Sequence, residues 1–234
     1  MAVASLSRVQ VDVLWTRVLA VLHDVPVKKL LALVGVATTL GLSLTVAGGS
    51  PAEAYCMFAT SYRWPSISIT VNGDLTWNST TKEYVNTTVR SWNAVSPAPL
   101  SYGNATWMTA VPSETTGLVL TRGRFGGDSS APGMAPGSLT ANHSRVEVIY
   151  SSYSSRWLWS NVAHGPWKDS GQVTTDIRTV TVHEVGHAAG LAHPWECTGA
   201  FTTAESASVM NAQWTALRRS PTTDDKAGFN ALGY

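Results

Sequence analysis

Charge is what this chain has least of. Only 13% of its 234 residues are Asp, Glu, Lys or Arg, about half the usual share. Sixteen basic residues stand against fifteen acidic ones, a formal net charge of +1. A chain held open by its own charge is therefore excluded. So is the basic field of a nucleic-acid binder, and no nucleic-acid partner is expected. Cysteine is scarce as well: two residues are too few for a disulfide-built scaffold but enough for one staple. Internal repeats are absent, and no low-complexity segment exceeds a Ser/Thr/Gly loop. What remains is 44% hydrophobic and carries ten Trp, enough for a packed core with large aromatic anchors.

Long hydrophobic runs are also missing, with one exception. Leu30 to Ala47 is charge-free and mostly apolar, preceded by Lys28-Lys29 and broken by Gly48-Gly49-Ser50-Pro51. Ala52-Glu53-Ala54 then offers small residues at the two positions a signal peptidase reads. Together these predict a leader over 1–54, cleaved after Ala54, and a secreted domain over 55–234. An uncleaved membrane anchor is the alternative, although Thr38, Thr39, Ser43, Thr45 and two Gly make a poor span. After cleavage no membrane contact is expected, both cysteines remain, and the compartment is one where a disulfide persists.

Within 55–234 no linker divides the chain. Ser66 to Val71 alternates polar and apolar residues and predicts a strand, ended by the turn residues Asn72-Gly73-Asp74. Thr81 to Val95 has helical spacing, with Pro97 and Pro99 as its stop. Gly117–Thr121 and Arg145–Tyr150 read as strands, with a Gly-, Ser- and Pro-rich loop over 123–138 between them. Thr174 to Gly190 reads as a second helix, capped by Asp176. The cluster Thr222-Thr223-Asp224-Asp225 opens a short last helix through Leu232. The order predicts an α+β fold with one sheet and two main helices.

The informative stretch is His183-Glu184-Val185-Gly186-His187-Ala188-Ala189-Gly190-Leu191-Ala192-His193. At about 100° per residue, His183 and His187 lie roughly 40° apart on one helix face, so two imidazoles one turn apart can share a metal ion. Had the helix continued, His193 could not reach that ion. Gly190 lets the chain take a positive φ, end the helix and swing back. Three neutral imidazoles with an open fourth position describe a catalytic zinc site rather than a structural one. Zinc acidifies water and polarises a carbonyl. Glu184 can accept the water's proton and deliver it to a leaving amine. The chemistry is hydrolysis of a peptide bond. From ordinary residue frequencies, a chance match to these five positions is on the order of one in a hundred thousand for such a chain.

This extended motif resembles that of the metzincin metallopeptidases. Ser208-Val209-Met210-Asn211 resembles their Met-turn, which places Met210 beneath the metal. Among metzincins the chain is most similar to the matrixins, in a short secreted bacterial-style form. Tyr62-Arg63-Trp64-Pro65, Gly127-Asp128 through Thr140, Asp176–Val180 and Thr223–Leu232 carry the further likeness. The resemblance implies a twisted, mostly parallel sheet over two helices, a monomer, and protein or peptide substrates bound along an edge strand. Asn142 to Tyr150 is the expected edge, and the segment between Met210 and Pro221, including Trp214, is the expected pocket wall. Pro194 after the third ligand and Ala212 after the Met depart from matrixin and from serralysin or astacin patterns respectively. A non-catalytic zinc-binding interaction module is the competing reading.

Matrixins commonly hold a second, structural zinc before the edge strand. Here Gly126 and Ala141 stand where histidines would, leaving Asp128, His143 and His164 as an incomplete set. One zinc per chain is therefore expected, with calcium on Asp128 as an alternative occupant of that loop. Cys56 and Cys197 either form a disulfide or leave Cys56 free as a thiolate able to block the zinc. Asn78, Asn86, Asn104 and Asn142 each begin an N-x-Ser/Thr sequon.

Overall fold

Alternating burial builds the central sheet. The computed structural model describes residues 55–58, 64–74, 76–95, 97–127, 130–135, 144–160, 167–169, 172–198, 206–212 and 216–234. In β2 (Ser68–Asp74) Ile69 and Val71 face the core while Ser68 and Thr70 face out. In β6 (Arg145–Ser151) Val146, Val148 and Tyr150 do the same. β4 (Gly117–Gly123) lies between them and buries Gly117 to Leu120 without alternation, as a strand covered on both faces must. With β3 (Ser101–Met108) and β5 (Gly133–Met134) the sheet has the order β3-β2-β4-β6-β5. Its first four strands are parallel, and β5 runs antiparallel to β6.

Two expectations about this sheet are corrected. Asn72-Gly73-Asp74 does not end β2. Gly73 pairs with Trp107 on one side and Leu120 on the other, and the Trp107 ring covers the space where a side chain would stand. Pairing on both sides overrides the turn preference. Nor is 142–150 the edge: β6 is flanked by β4 and β5, and the outer strand is the two-residue β5, in the stretch read as a loop.

Two helices pack on this sheet and on each other. Helix α1 (Ser79–Val89) starts two residues earlier than expected, because Asn78 Oδ1 accepts the Thr81 amide at 2.8 Å. It tightens into a 3-10 turn over Arg90–Ala94, where Trp92 is fully buried and its indole nitrogen donates to Val182 O at 3.2 Å. Ahead of α2 comes a three-stranded sheet absent from the sequence reading: β7 (Trp157–Ser160), β8 (Trp167–Asp169) and β9 (Gln172–Asp176), in the order β7-β9-β8. Thr174 to Asp176 therefore belong to β9, and α2 (Ile177–Ala189) begins after Asp176, whose carboxylate accepts Thr179 N at 2.9 Å and Arg219 Nε at 3.1 Å.

Every position of α2 except Arg178 is buried, which explains its lack of a polar face. Its end is capped from afar. The last carbonyls of a helix have no partner within it. Here Trp64 Nε1 donates to Ala188 O at 2.9 Å and Tyr234 Oη to Ala189 O at 2.7 Å. Beyond it, β10 (Leu191–Ala192) pairs antiparallel with β1 (Cys56–Met57), followed by the single turn α3 (Trp195–Thr198). The final helix α4 (Thr223–Ala231) has a full capping box between Thr222 and Asp225. The fold is α+β, as expected. Among the described residues no helix is long and apolar enough to cross a membrane.

Candidate metal centre

Helix spacing brings two of the three histidines together, and Gly190 brings the third. Gly190 has φ 118° and its amide donates to Gly186 O and His187 O, closing α2. The chain turns back through β10 and delivers His193 to the other two. The three Nε2 atoms form a nearly equilateral triangle: 3.0 Å from His183 to His187, 3.1 Å from His187 to His193 and 3.3 Å from His193 to His183.

Each ring is oriented through its other nitrogen. His183 Nδ1 donates to Val209 O at 2.7 Å, His187 Nδ1 to Leu191 O at 2.8 Å, and His193 Nδ1 to Glu196 Oε1 at 2.9 Å. All three partners are acceptors, so all three protons sit on Nδ1 and all three Nε2 atoms present lone pairs. Three lone pairs converging at such distances repel one another unless a cation sits among them. Zn–N bonds of about 2.0–2.1 Å in tetrahedral geometry place the nitrogens about 3.3–3.4 Å apart, within a few tenths of an ångström of this triangle. The donor set thus fits zinc. Burial favours the same neutral, ligating form: it pushes His183 down to about 4 and His187 well below its ordinary value.

Glu184 is buried beside the triangle, and among the described residues its Oε2 has no hydrogen-bond partner. Burial pushes its carboxyl up to about 8, against a backbone hydrogen bond from Ala135 that favours the charged form. The carboxylate lies under β5: a Cβ on Gly133 would meet Glu184 Oε1 at 3.0 Å. Glu184 and the three histidines line a cleft of about 500 Å³, bordered by β5 and by Phe58, Arg156 and Trp157.

The support under the site comes from the segment around Met210. Met210 is 3% exposed and packs against Gly186, between the two helical ligands in sequence. Its turn is held by Asp225 of α4, whose carboxylate accepts Ser208 Oγ at 2.5 Å and Val209 N at 3.0 Å. Asp225 thereby fixes the carbonyl that orients His183. The sequence marks Asp225 as a helix-start residue and gives no sign of this second role.

Cys56 and Cys197 form a disulfide, Cα to Cα 5.6 Å, so Cys56 is not a blocking thiolate. The bridge sets Phe58 beside the site, its ring centroid 5.7 Å from that of His187. Phe58, Gly133 and Glu196 were not legible as site residues; only their neighbours in space reveal them. Ala212 lines the cleft. Asp128, His143, His164 and Trp214 lie outside the described residues, as does the whole of 1–54.

No family model matches this chain, and no curated protein matches it. Two solved structures of myroilysin are similar to it in three dimensions. One shares 13% identity over 74% of this chain and 95% of that chain, with a TM-score of 0.40. The other shares 12% identity over 74% and 86% of the two chains, with a TM-score of 0.42. Function is therefore read from the site itself.

Proposed function

We propose that this protein is an exported, zinc-dependent endopeptidase of the metzincin type, most like the matrixins in the residues around its metal site. The observation that carries this is the triangle of three imidazole lone pairs with a buried carboxylate beside it on a cleft. His183, His187 and His193 would hold the ion. When bound, zinc supplies Lewis acidity, which lowers the proton affinity of water and polarises a carbonyl. Glu184 takes the proton from the attacking water and passes it to the departing amine. Its carboxylate lines the cleft beside the three histidines.

An extended peptide is the substrate this cleft fits. Among the described residues β5 pairs with β6 alone, and Gly133 and Met134 of β5 line the cleft. A peptide laid there joins the sheet through main-chain hydrogen bonds. Residues 1–54 serve as the export leader, and the Cys56–Cys197 bridge suits an oxidising destination.

The test uses purified protein, metal analysis and a broad peptide library. The expected result is about one zinc per chain, cleavage that a chelator abolishes, and a loss on the order of 10²–10⁴-fold in Glu184→Ala with zinc retained. Wild-type protein that holds zinc yet is as inert as Glu184→Ala would instead identify a non-catalytic zinc-binding module.

A further inference from the structure

The third ligand is held differently from the other two. His183 and His187 are fixed by α2 and by main-chain carbonyls. His193 lies beyond the helix on irregular chain, with about a quarter of its side chain exposed. Its Nδ1 faces a carboxylate, Glu196 Oε1, at 2.9 Å. Nothing in the extended zinc motif includes Glu196, which falls three residues past its end.

We propose that Glu196 is a positioning residue for the metal centre: it holds His193 in the tautomer and orientation that turn Nε2 towards the other two imidazoles, and it raises the basicity of that nitrogen. A carboxylate accepting the far N–H of a ligating imidazole does both. The bond is charge-assisted, and so stronger than the carbonyl contacts on His183 and His187. That strength is placed where no helix constrains the ring.

The local chain is built to deliver this carboxylate. The Glu196 amide donates to His193 O at 3.0 Å, a turn that brings residue 196 back over residue 193. The Trp195 ring lies nearly parallel to the His193 ring, at 13° and 6.2 Å between centroids. Cys197, the next residue, is bridged to Cys56, and Cys56 pairs with Ala192, the residue before the ligand. The turn from 193 to 197 is thus tied at both ends to β1. Glu196 takes its place from that clamp, so the disulfide supports the metal site through this carboxylate.

This assignment rests on the zinc-peptidase proposal above, and its test separates the two. Zinc affinity is measured by competition with a chromophoric chelator for wild type, Glu196→Gln and Glu196→Ala. The cobalt(II)-substituted proteins are compared by visible absorption, and the metal-free proteins by thermal unfolding. Expected are a 10–100-fold weaker zinc affinity in Glu196→Ala, an altered cobalt spectrum and an unchanged metal-free midpoint. Glu196→Gln, whose amide oxygen still accepts a hydrogen bond from Nδ1–H, recovers part of the affinity. Wild-type affinity and spectrum in Glu196→Ala would overturn the assignment while leaving the peptidase proposal standing. So would a metal-free midpoint that falls with the affinity and a Gln variant no better than Ala. A wild-type protein that takes up no zinc would overturn both.

Discussion

Gly186 and Met210 touch through the space a side chain at 186 would need. A Cβ there would overlap Met210 Sδ and stand 3.1 Å from Trp92 Cζ2. The bare backbone at Gly186 lets the helix rest on Met210 between Glu184 and His187.

Gly186→Ala accordingly sets two effects against each other. Ala gains about 1 kcal/mol of helix propensity over Gly, while overpacking a tight core costs about 1–3 kcal/mol. The expected net result is a loss of stability in denaturant titration. Met210→Ala leaves a void and costs about 2–5 kcal/mol alone, but it also removes the overlap. The double variant should be more stable than the sum of the single losses predicts, by at least about 0.5 kcal/mol. Strict additivity would mean that the two residues do not meet.

Gly133→Ala tests how the edge strand places Glu184, the proposed general base. Its Cβ would lie 2.6 Å from Val180 Cγ1 and 3.0 Å from Glu184 Oε1, so strand or carboxylate must shift. A displacement of that size is expected to lower kcat about tenfold or more. Zinc content stays at the wild-type level, since no ligand moves. Parallel metal analysis and kinetics check both halves, and full kcat would show that Glu184 is placed by other contacts.

Asp225→Ala should damage two places at once. The carboxylate caps α4 through Thr222 and holds Ser208 and Val209. Its removal strands buried donors, each at about 1–3 kcal/mol. Asp225→Asn keeps one carbonyl acceptor and should fall between. Because Val209 O orients His183, zinc affinity is expected to fall with stability in both variants, measurable by calorimetry and chelator competition.

Replacing Cys56 and Cys197 together by Ser opens a loop with a sequence separation of 141 residues. The expected cost is about 2–5 kcal/mol, read as a lower unfolding midpoint that no longer responds to reductant. Glu196 is adjacent to Cys197 and faces His193, so zinc affinity is expected to drop as well.

The cluster of three histidines was legible because it is written in local spacing: one helical turn for His183 and His187, and a helix stop at Gly190 before His193. Asp176 and Thr222 were legible for the same reason, since a cap is a relation between residues three apart. β5 was not, because two residues carry no periodicity and only Tyr150 and Ile149 opposite them define a strand. The start of α2 was misplaced because Val173 to Asp176 suit either element, and pairing with β7 and β8 decided for the strand. Asp225 and Glu196 act on Val209 and His193 through folded-chain contacts that no pattern of residue types encodes.

The pairing of β1 with β10 also bears on when the site forms. Cys56 meets Ala192 across a long stretch of chain, and His183 is oriented by a carbonyl that Asp225 holds in place. Contacts of such sequence separation close slowly and late. His183, His187 and His193 are close in sequence, yet the contacts that orient them depend on Val209, Asp225 and β1. The triangle is therefore set only when distant parts of the chain have condensed, which makes the metal centre a product of the completed fold rather than of its local helix.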